Sequence, residues 1–223
     1  MSLDMITFED IKNNKDINHY IDVCNNVLCA IGYTEHGMAH ATITANSCSD
    51  ILYKLGYDER TMELGKISAY MHDIGNILNR TDHAQSGALM AYNLLNSLNM
   101  PSIEISTVIC AIGNHDEHEG RPVDAVSAAL IIADKTDVRR SRVRNDNITA
   151  FDIHDRVNYS VTRTDLEISL ETGIISLDLD IDTSISPVID YFDIFITRML
   201  LCKKAADYFK CQFQLIINGS RLA

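Results

Sequence analysis

Between residues 16 and 136 the apolar side chains recur at the three-to-four-residue spacing of one helix face, and glycine or proline interrupts the pattern each time it runs out. Ile17, Tyr20, Ile21, Cys24, Val27, Leu28 and Ile31 predict a helix over residues 16–31, stopped by Gly32. Ala39, Ala41, Ile43, Ile51 and Leu52 predict another over 36–55, closed by Gly56. Asp58 suits the cap of a third, which runs through Met62, Leu64, Ile67 and Met71 to His72 and ends at Gly75. Further helices are expected over 84–98, with Pro101 beyond, over 103–112 up to Gly113, and from Pro122 through Val126 and Leu130 to at least Thr136.

The pattern changes near residue 145. Leu166, Ile168 and Leu170 alternate on one side, and Ile175, Leu177, Leu179 and Ile181 do so after a turn at Thr172–Gly173, which predicts a β-hairpin. Pro187 opens a strongly apolar helix over about 188–209, and Phe213, Leu215 and Ile217 read as a last strand. The expected fold is mainly α: a helical body over 1–145 carrying a small C-terminal α+β region over 146–223. The 188–209 helix is apolar nearly all round and needs cover on several sides. A sheet, the helical body or a second copy of the chain could supply it, and a homodimer through this region is expected.

Charge and cysteine use narrow the partners. The net charge of −12 repels a polyanion such as duplex nucleic acid. No apolar run reaches the length of a membrane span, and residues 1–10 lack the basic and apolar regions of a signal peptide. The six cysteines, Cys24, Cys29, Cys48, Cys110, Cys202 and Cys211, form no CxxC pair and are expected to be reduced, mostly core residues of a cytoplasmic protein. Arg139, Arg140, Arg142 and Arg144 form a local basic cluster after Lys135, which fits a solvated helix end better than a substrate contact.

The histidines carry the chemical information. His72–Asp73 closes a long amphipathic helix, and imidazole with carboxylate is a donor set for a divalent metal. Gly75 permits the turn or close approach that follows. The same dipeptide recurs at His115–Asp116 and at His154–Asp155; the last lies in the transition to the β region and reads as structural. His36 and His40 are four apart and would share one helix face. Asp134 interrupts an apolar run, where a carboxylate needs a cation: a metal, Lys135 or a following arginine.

In this order and setting, His40, then Met71-His72-Asp73-Ile74-Gly75-Asn76, then Ile132-Ala133-Asp134-Lys135, the chain resembles the HD-domain metal-dependent phosphohydrolases over about residues 18–145. The resemblance implies a helical bundle in which His40, His72, Asp73 and Asp134 ligate one divalent ion. His83 and His115 match the extra histidines by which HD-GYP-like members hold a second ion, and His36 falls where some members have a further ligand. No Gly-Tyr-Pro follows, so cyclic-dinucleotide hydrolysis is not supported. The implied cofactor is two divalent ions, of iron, manganese, nickel, zinc or magnesium. The implied reaction is attack of metal-activated water on a nucleotide or other small phosphate ester, with Asp73 and Lys135 in catalytic roles and Arg80 and Lys135 as phosphate clamps. Two other readings stand beside it: a di-iron oxygenase using the same ligands, and a metal- or ligand-binding sensor module.

Overall fold

The computed structural model describes residues 5–222; residues 1–4, part of the amino-terminal stretch discussed above, lie outside the described residues. Helices α1 (Phe8–Lys12), α2 (Lys15–Ala30), α3 (Met38–Lys54), α4 (Glu59–Met71), α5 (His83–Ser97), α6 (Ser102–Gly113) and α7 (Ala125–Lys135) form the body, with a short 3-10 turn at Ile74–Ile77 between α4 and α5. Their starts follow local chemistry. The Asn14 side chain accepts the Asp16 and Ile17 amides, and Asp58 accepts that of Thr61. Pro122 does not open α7: Asp124 does, in a reciprocal capping box with Ser127. Helix α3 starts later than its apolar pattern suggests, with Gly37 as its cap, so His36 lies outside it and does not share its face with His40.

The remaining elements are α8 (Ile153–Ser160), β1 (Val161–Ser169), β2 (Ile174–Ile181), α9 (Val188–Tyr208), β3 (Gln212–Ile217) and β4 (Ser220–Arg221). Helix α8 was not expected; it is short and polar, started by the Asp152 side chain on the Asp155 amide. The hairpin pairs Leu166 with Leu177 and Ile168 with Ile175, and Gly173 turns it in the left-handed region at φ 65°. Leu170 lies past the end of β1 and is exposed. Helix α9 crosses over to place β3 parallel to β2, and β4 adds an antiparallel edge.

This order gives a mainly α fold with a small four-stranded sheet, and one apolar core runs through both parts, from Phe8 and Ile11 through Leu130 and Ile132 to Phe195, Leu201 and Leu215. Helix α9 packs between α7 and β3. With α3, α4 and α6 on its other sides, α7 is buried at every position from Val126 to Lys135. Cys24, Cys48, Cys202 and Cys211 are buried thiols, while Cys29 is exposed and Cys110 half-buried. Among the described residues no helix is long and apolar enough to cross a membrane.

The basic cluster is not a solvated helix end. Helix α7 stops before it, and each arginine ties a loop down. Arg142 is buried and donates to the Glu35 and Asp137 carbonyls, and Arg139 bonds the Asp137 carboxylate and Ser141. Arg140 lies 4.5 Å over the Tyr159 ring, and Arg144 bonds Asn25.

Candidate metal centre

Five elements bring the site together. His40 sits on α3 and His72 caps the end of α4, with Asp73 next to it. His83 begins α5, His115 follows α6, and Asp134 is in the last turn of α7. The role of Gly75 is a close approach rather than a left-handed turn. A Cβ there would lie 2.0 Å from the His83 carbonyl oxygen and 2.5 Å from the Gly87 amide nitrogen. Only a bare backbone lets the turn after His72–Asp73 sit on the first turn of α5 and bring His83 up to Asp73. Asp82, just before His83, adopts the left-handed conformation at φ 57°, which aspartate tolerates.

The donor atoms crowd around both oxygens of Asp73. His40 Nε2 lies 3.3 Å from His72 Nε2, 3.3 Å from Asp134 Oδ1 and 3.7 Å from Asp73 Oδ2. His72 Nε2 lies 3.3 Å from Asp73 Oδ2 and 3.6 Å from Asp134 Oδ1. On the other side of Asp73, His83 Nε2 lies 3.6 Å from Oδ1 and 3.1 Å from His115 Nε2. Donors each about 2.1 Å from a common ion lie roughly 3.0–3.5 Å from one another, so these separations are those of ligand shells. His40, His72 and Asp134 form one group able to hold an ion, and His72, Asp73 and His115 form another.

The outward nitrogens explain why the inward ones are free to ligate. Nδ1 of His40 faces Asp137 Oδ2 at 2.7 Å, His72 faces the Ala69 carbonyl at 2.7 Å, His83 the Arg80 carbonyl at 3.0 Å and His115 the Ile112 carbonyl at 2.6 Å. Those oxygens can only accept, so Nδ1 carries a proton in each ring and Nε2 is the nitrogen turned to the centre, its lone pair open to an ion once any second proton leaves. His36 follows the same rule, with Nδ1 donating to the Thr34 carbonyl at 2.7 Å, and its ring lies 5.6 Å from that of His40.

Facing lone pairs and buried carboxylates call for a cation. Burial works against a charged His72, but Asp73 and Asp134 outweigh it and push its pKa up to about 10. Burial alone would raise the Asp73 and Asp134 carboxyls; His72 beside the first and Lys135 beside the second instead hold both well below the usual carboxylate range. Burial, with the charges of His72 and His83, drives His115 well below the ordinary imidazole value, so it stays a neutral donor. Asp73 Oδ2 is buried with no hydrogen-bond partner among the described residues, the kind of orphan a metal ion satisfies. On these counts the donor set fits a divalent ion.

The neighbours balance this charge. Lys135 is buried, with Nζ 2.7 Å from Asp134 Oδ2 and 2.8 Å from Glu117 Oε2, so both its near partners are carboxylates. Arg80 reaches the second set: Nη1 is 3.3 Å from His83 Nε2, 3.2 Å from Asn76 Oδ1 and 3.8 Å from Asp73 Oδ1. Its guanidinium stands where it supplies the positive charge a second ion would bring. Above these groups opens a cleft of about 760 Å³ lined by His36, Arg80, Glu117, Arg142 and, from the C-terminal region, His154 and Arg198.

Sequence reasoning named six donors, His40, His72, Asp73, His83, His115 and Asp134, and the fold gathers all six. It missed Asp137, Glu117 and Arg198, whose roles come from tertiary contacts and leave no mark in local spacing. It also set His154 aside as structural, whereas His154 lines the cleft.

No family model matches the chain. An uncharacterized protein of Methanocaldococcus jannaschii is 27% identical in an alignment of 184 positions that covers 72% of this chain and 70% of that protein. Among solved structures, a predicted HD superfamily hydrolase from an uncultured Thermotogales bacterium aligns with 59% of this chain and 73% of its own, at 22% identity and a TM-score of 0.45.

Proposed function

We propose that the chain is a metal-dependent phosphohydrolase of the HD type, acting on a small phosphate ester, with His40, His72, Asp73 and Asp134 holding one ion and Asp73, His83 and His115 holding a second. One observation carries this reading: the two oxygens of the Asp73 carboxylate face different sets of imidazole nitrogens, Oδ2 toward His40 and His72 and Oδ1 toward His83. A carboxylate that divides its oxygens in this way suits a bridge between two ions. Divalent metal held there supplies an acidified water and an electrophile for the phosphoryl oxygen.

The chain's own residues do the rest. The proton on each outward Nδ1 fixes ring orientation, so the ligands need no rearrangement when an ion enters. Lys135 keeps Asp134 ionised and one carboxylate oxygen engaged, a charge-balancing role in place of the phosphate clamp. Arg80 is half-way between site and cleft, and in this reading it swings from Asp73 to the phosphate of an entering ester. The net charge of −12 supports a small substrate over nucleic acid. Ile189, Ile196 and Leu200 stay exposed along α9, which supports the pairing of two chains there.

The test is metal content per chain, on protein purified without chelator, with phosphate release from a panel of nucleotides and sugar phosphates. Stoichiometric metal with metal-dependent release is expected. The same shared carboxylate also suits a di-iron centre, and oxygen uptake without phosphate release would transfer the assignment to an oxygenase.

A further inference from the structure

Two arginines that line the cleft contact none of the six candidate metal donors. Arg142 is fixed by its Nε to the Glu35 carbonyl at 2.9 Å and by Nη1 to the Asp137 carbonyl at 2.9 Å. Its remaining nitrogen, Nη2, is buried and has no hydrogen-bond partner among the described residues. Arg198 comes from α9; its guanidinium stacks 4.7 Å over the Phe195 ring, and its Nε lies 3.5 Å from Glu117 Oε1. No hydrogen bond to Arg198 is present among the described residues, so the two Nη groups are available to a ligand. Both arginines line the cleft over the metal centre.

Two guanidiniums in one cleft repel each other. Burial disfavours the charge on Arg142, Asp137 favours it, and Arg198 then works against it. Each has one carboxylate near it, Glu117 at 3.5 Å from Arg198 and Asp137 at 3.6 Å from Arg142, but Lys135 at 2.8 Å and Arg139 at 2.8 Å share those carboxylates, so the pair is only partly offset. A fold keeps such a pair without penalty when an anion comes between them, and an oxyanion offers acceptors to both forks.

We propose that Arg142 and Arg198 form an anion subsite that receives a second oxyanion of the substrate, phosphate or carboxylate, while the first phosphate lies at the metal ions. This rests on the phosphohydrolase reading and narrows it to esters bearing two anionic groups. It also gives the C-terminal region a place in recognition, because Arg198 is the subsite's outer half.

Three ligands on one three-carbon frame test it: glycerol 1-phosphate, 3-phosphoglycerate and glycerol 1,3-bisphosphate. Affinity of each for the manganese-loaded full chain is measured by calorimetry, in the wild type and in Arg198→Gln and Arg198→Lys. A second oxyanion is expected to tighten binding by about tenfold or more in the wild type. Arg198→Gln should remove most of that gain and Arg198→Lys part of it, as a charge-assisted pair predicts. The two doubly charged ligands show whether carboxylate or phosphate is preferred. No gain in the wild type with either ligand overturns the subsite, as does an equal gain in Arg198→Gln; the wild-type comparison decides alone if that variant does not fold. Tighter binding of the doubly charged ligands without hydrolysis of any would keep the subsite and remove the phosphohydrolase reading. Hydrolysis of glycerol 1-phosphate with no gain would do the reverse.

Discussion

Asp137 Oδ2 lies 2.7 Å from His40 Nδ1, on the side of the imidazole away from the metal centre. The carboxylate is itself held by Arg139 at 2.8 Å and faces Arg142 at 3.6 Å. It therefore fixes the ring that α3 contributes, from a loop that follows α7. Asp137→Asn keeps the shape but weakens this hold. Metal affinity is expected to fall about 10- to 100-fold, measured by competition with a chromophoric chelator. An unchanged affinity would show that α3 packing alone sets the ring.

The same carboxylate predicts part of the acid limb of stability. Burial would raise it, but the hydrogen bond from His40 and the charge of Arg142 hold it well below the usual range. A depressed carboxyl contributes stability that is fully present above the unfolded value of about 3.9 and is lost as pH falls toward the folded one. Asp137→Asn should therefore lower the melting temperature near neutrality, with the gap to wild type closing at low pH. A gap of constant size across the acid range would count against the pairing.

Asp73→Ala removes both faces of the shared carboxylate. Bound metal should drop below one ion per chain by elemental analysis, and phosphate release should fall below detection. Retention of two ions with full activity would refute the bridging role.

Arg80 stands at the electrostatic position, between His83 and Asp73, that a second ion would take. Arg80→Met should tighten binding of the second ion relative to the first in a metal titration, while weakening KM for a phosphate ester. Loss of the second ion in this variant would instead make Arg80 part of its support.

Gly75→Ala places a methyl against the His83 carbonyl and the Gly87 amide, and backbone atoms cannot step aside as a flexible side chain can. The expected cost is about 3 kcal/mol or more, read by urea denaturation, with metal lost alongside because His83 is pushed from Asp73. A melting temperature within a degree of wild type would contradict the close packing seen here.

The candidate donors were legible because each is a chemically costly residue at a recognisable place. Asp134 stands in an apolar run, and His72–Asp73 stands where an amphipathic pattern stops. The helices were legible through their periodicity, and the hairpin through its alternation. His36 was placed on α3 in error because spacing by four fits a helix, whereas Gly37 starts that helix one residue too late. Helix α8 escaped because it is short and polar and owes its place to the loop arginines, Arg140 above all. Asp137, Glu117 and Arg198 escaped for a different reason: each is defined by a partner distant in sequence, His40, Lys135 and Glu117 in turn, and no local pattern records such a pairing.

The burial of α7 on every side has a consequence for how the protein is made. All six candidate ligands have left the ribosome before α9 is synthesised, yet the helix that carries Asp134 has a bare apolar flank until α9 docks on it. The setting of Asp134 is thereby tied to the finished chain, and a nascent protein paused before residue 188 would lack the wall that steadies that aspartate.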